Sequence, residues 1–91
     1  MSLSQIAVQA GHAVGAFCKA LPEEANEIWD DTLVYLGVDN EIELNRWIKV
    51  LEGHDYSPVL WTEGYWNNSL TSLAVLGSPK VKELVKELKL V

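Results

Sequence analysis

Residues 3–20 constrain the fold more than any other stretch of this 91-residue chain. Ser2 followed by Gln5 is a capping-box pattern, so a helix opens near Leu3. Pro22 disfavours helical geometry at Leu21 and ends the helix at about Ala20. Inside it, Ala7, Ala10, Gly11, Ala13, Gly15 and Ala16 keep the surface thin, while Ile6, Val14 and Phe17 supply bulk. A glycine in a helix interior costs about 1 kcal/mol relative to alanine, and close approach of another backbone is the expected compensation. Gln5, Gln9, His12 and Lys19 fall on one stripe at helical spacing. The expectation is a helix buried on most sides with one polar edge. Such a helix normally packs on a sheet fed by a strand just before it, and no strand precedes it in this sequence.

Pro22-Glu23-Glu24 opens a second, short helix, with proline in the first turn and carboxylates favoured by the helix dipole; it should end near Trp29 or Asp30. Thr32 to Val38 is apolar on both alternations, the pattern of a strand covered on both faces. Asp39 or Asn40 caps the next helix, whose core face is Leu44, Trp47, Ile48 and Leu51, and Gly53 is a natural stop. Pro58 to Trp61 and Leu70 to Leu76 read as two further strands, joined by the polar-aromatic loop Glu63 to Asn68. Ser78-Pro79 caps a last helix carrying Val81, Leu84, Val85 and Leu88. The order is ααβαββα in a single α/β domain over residues 1–91. A small mixed sheet of three strands is flanked by helices, Thr32 to Trp61 forms a right-handed parallel crossover, and the third strand can pair antiparallel to either of the other two.

Composition bounds the function classes. The chain is 48% hydrophobic with four Trp, enough for one packed core. No apolar run approaches the ~18 residues of a membrane span, and the start has no basic segment of a secretory signal. Cys18 is the single cysteine, so no disulfide framework or thiolate cluster is available. These features point to a cytoplasmic protein with no membrane partner. The net charge is −6, and eight acidic residues lie between Glu23 and Glu43 without a Lys or Arg. That balance disfavours RNA or any other polyphosphate, although Lys80, Lys82, Lys86 and Lys89 offer a local basic edge. A solvated helix face accounts for those lysines equally well.

No phosphate-cradling loop, nucleophile elbow or metal-binding helix motif is present, and His12 and His54 lack a supporting ligand pair, so neither metal nor cofactor is expected. Cys18, between Phe17 and Lys19, reads as a packed residue. Trp29, Trp47 and Trp61 fall within elements and read as core or half-buried. Trp66 differs, because with Tyr65 and Asn67 it forms a loop able to stack on a base, anchor a protein partner or fold back over the sheet. Gln9 and His12 share a face. They either line a site or bond to neighbouring backbone and water.

Gln5-Ile6-Ala7-Val8-Gln9-Ala10-Gly11-His12-Ala13 resembles the signature helix of the type II peptidyl-tRNA hydrolases, which reads Lys, an apolar residue, Ala-x-Gln-x-x-His-Ala. The order of elements is similar to the family's order after its first strand. Trp61-Thr62-Glu63-Gly64 falls where the family has an Asp-Ala-Gly turn, and Ser72 to Gly77 falls on its closing strand. The resemblance spans nearly the whole chain, with its specificity in the first helix. It implies that His12, Gln9 and Glu63 are the catalytic candidates; Tyr65, Trp66 and Asn67 of the loop, with Ser72 on the closing strand, are the binding candidates. It also implies losses. Met1 falls on the family's motif methionine, so the first strand and its catalytic lysine have no counterpart here. Gln5 replaces the lysine that opens the helix, and Thr62 or Glu63 stands at the aspartate.

Ester hydrolysis needs a base for water and a donor or cation for the oxyanion. Glu63 and His12 could fill these roles, with no cation beside them. The expectation is therefore a degenerate domain acting as a binding or regulatory protein, an adaptor or an inhibitor. An open sheet edge would hold a second copy or another protein. The alternatives are an active peptidyl-tRNA hydrolase and an RNA-binding domain without hydrolysis.

Overall fold

The computed structural model describes residues 2–30 and 32–90; Met1, aligned with the family's motif methionine, lies outside them. Helix α1 runs Leu3–Ala20. Its capping box forms as the sequence dictates, with the Ser2 hydroxyl accepting from the Gln5 amide and the Gln5 side chain accepting from the Ser2 amide. The second helical piece is a single π-turn, Glu24–Ile28, closed by the Trp29 amide donating to the Glu24 carbonyl at 2.9 Å. Strand β1 is Leu36–Gly37, helix α2 is Glu41–Gly53, and strands β2 and β3 are Val59–Glu63 and Ser69–Ala74. Helix α3, Pro79–Val85, precedes β4, Lys89–Leu90.

The molecule is a small mixed α/β domain, but the expected three-stranded sheet is replaced by two separate antiparallel pairs, β1 with β4 and β2 with β3. The expected parallel crossover does not form, because β2 is taken by β3 across a five-residue connection with little loop entropy to overcome. The apolar run from Thr32 to Val38 yields a strand only at Leu36 and Gly37. Leu33 and Val34, without a strand neighbour, are exposed. The last helix is also shorter than expected. It stops at Val85, and Lys89–Leu90 becomes the strand that pairs with β1.

Helix α1 lies on the β2–β3 hairpin, and its buried line is Gln9, Ala13 and Phe17, one helical turn apart each time. The expectation of burial on most sides fails. Ala7, Val8, Gly11 and Gly15 are exposed, and beyond the local helix backbone no atom comes within 4 Å of the place where a Cβ on Gly11 or Gly15 would sit. The helix is thin on its open side, so these glycines serve no close approach. Leu51 of α2 and Val81 of α3 complete the buried apolar set among the described residues.

Helix α2 is capped by Asn40, whose side-chain oxygen accepts from the Glu43 amide. The Glu43 carboxylate turns instead to Arg46 at 2.9 Å. The helix ends in a paired-bond C-terminal motif, with the Tyr56 amide donating to Leu51 and the Asp55 amide to Glu52. The left-handed residue of that motif is Asp55, at φ 66°, rather than Gly53.

Candidate functional site

The strands carry side chains to α1 by alternation. Along β2, Val59, Trp61 and Glu63 are half-buried while Leu60 and Thr62 are exposed. Strand β3 breaks that alternation. Trp61 pairs with Ser72 and Thr62 with Leu70, which leaves Thr71 as one extra residue. This β-bulge lets two consecutive residues reach the same helix, where a regular strand would send one of them to the opposite face.

The result is a polar network centred on Gln9, a side chain only 5% exposed. Its Oε1 accepts from the Thr71 hydroxyl at 2.7 Å, and its Nε2 donates to Glu63 Oε2 at 3.1 Å. The Ser72 hydroxyl donates to the Gln9 carbonyl at 2.6 Å. Burying an amide is unfavourable unless it is bonded, and here each end of the side chain has a partner. The polar edge of α1 is therefore not a solvated stripe at this point. Gln9 faces the hairpin, while Gln5, His12 and Lys19 remain exposed.

Glu63 is held by neutral donors. Oε2 receives Gln9 Nε2 and, at 3.5 Å, Trp61 Nε1, while Oε1 receives the Tyr65 amide at 3.3 Å. The Gln9 bond foremost, then the Tyr65 amide, the Trp61 indole and the nearby His12, hold this carboxyl below the usual glutamate range, against a smaller opposing effect of burial. The His12 ring stacks on Trp61, with centroids 4.7 Å apart and planes at 24°. The three residues proposed as catalytic, Gln9, His12 and Glu63, thus meet at one place.

Of the residues proposed for binding, Ser72 belongs to the network and Tyr65 stands at its rim with 95% of its surface exposed. Trp66 and Asn67 are not drawn in. The Trp66 carbonyl accepts from Ser69 Oγ, and Asn67 adopts a left-handed turn conformation at φ 54°. Sequence reasoning missed Thr71 and assigned Trp61 only to packing. Two adjacent hydroxyl residues inside an apolar strand were the available signal for Thr71, but nothing local encodes the bulge that turns both inward.

Among the described residues, no group of three His, Cys, Asp or Glu side chains is arranged to hold a metal ion. No described helix is long and apolar enough to cross a membrane. A groove of about 340 Å³ lies toward the other end of α1, between Phe17, Leu21, Tyr56, Val75 and Leu76. It shares no residue with the Gln9 network. Compared with protein-family profiles, curated proteins and solved structures, the chain matches none.

Proposed function

We propose that this chain is a degenerate domain of the type II peptidyl-tRNA hydrolase kind, acting as a binding or regulatory protein through the surface around Gln9, His12 and Glu63. The carrying observation is the state of Glu63. A general base works best with a pKa near the operating pH. The donors on Glu63 pull its carboxyl the other way, toward a poorer base. No described Lys or Arg forms an ion pair with this carboxylate, the described pairs being Arg46–Glu43 and Lys86–Glu83. The surroundings thus favour a fixed anion that receives hydrogen bonds over a group that activates water.

The test is a hydrolysis assay with peptidyl-tRNA. Peptide release at the uncatalysed rate is the expected result. Release above that rate, lost in both His12→Ala and Glu63→Gln, overturns this reading in favour of the enzyme. That second reading draws on one observation, the convergence of Gln9, His12 and Glu63 on a single spot. Protein association has a further point in its favour, since each of the four described strands has a strand neighbour on one side only. A solution mass above that of one chain at micromolar concentration is the outcome expected for pairing through such an edge.

A further inference from the structure

The Glu63 carboxylate is an anion that the fold has oriented with the His12 ring nearby but with no described Lys or Arg in an ion pair with it. A carboxylate offers about four acceptor positions. Gln9 and Trp61 donate to Oε2 and only the Tyr65 amide to Oε1, so one position on Oε1 has no described donor. All three donors are neutral N–H groups, and they fix the carboxylate without cancelling its charge.

The surroundings of this anion are aromatic. Trp61 donates to it and carries the stacked, exposed ring of His12, while Tyr65 lies in the Gly64–Trp66 turn after it with its side chain almost wholly in solvent. Aromatic faces attract cations through the negative charge of the π face. A phosphate-bearing ligand would meet the Glu63 charge directly, on a chain of net charge −6. A guanidinium meets neither obstacle. It is planar, stacks on aromatic rings and donates several N–H groups to a carboxylate, whereas an ammonium is a compact and more strongly hydrated charge.

Resting on the binding reading above, we propose that the Glu63–Trp61–His12–Tyr65 cluster is a receptor for an arginine side chain presented by a protein partner. The guanidinium donates to Glu63 Oε1 and lies against the exposed aromatic rim. Gln9 positions the carboxylate from beneath, held in turn by Thr71.

The test is an NMR titration of the whole chain with N-acetyl-arginine methylamide, following the Trp61 indole N–H, the Gln9 side-chain amide and the Tyr65 amide. The neutral citrulline counterpart and adenosine monophosphate are the controls. Saturable shifts at these three groups with the arginine probe are expected, with affinity for citrulline weaker by on the order of tenfold. Glu63→Gln should weaken arginine binding by a similar factor, and Tyr65→Ala, a change at an exposed ring that leaves the fold intact, by about two- to fivefold. Equal binding of citrulline, undiminished binding by Glu63→Gln, or uptake of the nucleotide in place of arginine overturns the proposal. Peptide release from peptidyl-tRNA would overturn the binding-domain reading and leave the arginine site standing. Failure of the arginine titration alone would remove the site and leave that reading intact.

Discussion

The α1–hairpin unit and the β1–β4 corner are both antiparallel pairings and reach different ends. In the first, α1 covers the inward side chains of β2 and β3, and a buried glutamine ties all three elements together. In the second, two strands of two residues each pair across a long separation in the chain, while Leu33 and Val34 beside them stay exposed. The difference lies in cover and in loop length. The hairpin closes over five residues and has a helix to pack against, so its hydrogen bonds come with burial. The corner must close a loop of about fifty residues, roughly 2 kcal/mol costlier than a five-residue closure, with little area covered in return.

The sharpest way to break this contrast is Phe17→Ala. Phe17 is buried on the line that α1 sends into the molecule, and its removal should cost about 3 kcal/mol in urea unfolding. Gln9→Ala comes next, at about 2 kcal/mol, because it leaves the Thr71 hydroxyl without its acceptor as well as opening a small void. A loss well under 1 kcal/mol for Gln9→Ala would mean that the network does not hold the hairpin. On the open side of the same helix the sign reverses. Gly11→Ala should raise stability by about 0.5–1 kcal/mol, since a methyl there meets nothing within 4 Å beyond the local helix backbone and relieves the helical cost of glycine. At the corner, Leu33→Ser should change stability by less than about 0.5 kcal/mol, as for any exposed side chain without partners.

The smallest expected effect is a pH dependence. Glu63 has its folded pKa depressed, first by the Gln9 bond, so its contribution is complete above the pKa of the unfolded chain and is lost as pH falls through the folded value. Being half-exposed, it is screened by solvent, and the slope in acid should be shallow. Comparing urea midpoints at neutral and acid pH checks this, and the Gln9→Ala variant should flatten the curve. An unchanged slope in that variant would detach Glu63 from Gln9.

The helix starts were the most legible features. Ser2 with Gln5, Asn40 and Ser78 all cap the helices that their sequence contexts announce, because a cap needs only residues within one turn of itself. Leu51 and Val81 were equally plain from helical spacing. The strand from Thr32 to Val38 misled for the opposite reason. Its composition fitted burial on both faces, yet burial depends on neighbours elsewhere in the chain. The same holds for Gly11 and Gly15, whose small size permits a close approach without supplying anything to approach.

Much of the candidate site was visible as residue types but not as an arrangement. Gln9 and His12 stood out on one helix and Glu63 in the loop between two strands. Their meeting required β2 and β3 to pair in the register that puts Trp61 opposite Ser72. A shift of one residue would turn the inward set outward. The bulge at Thr71, which brings a second hydroxyl to Gln9, depends on that register too.

Where helices begin, which helical positions carry apolar weight and which polar residues were available for chemistry follow from the chain without its fold. Local hydrogen bonding and periodicity suffice for those. Tertiary structure alone decided that the strands form two antiparallel pairs, that the polar residue Gln9 is buried while the glycines of its helix are not, and that Glu63 is an oriented anion. Each depends on which distant surface covers which residue, and that is settled only when hydrogen-bond satisfaction and burial are met across the whole chain at once.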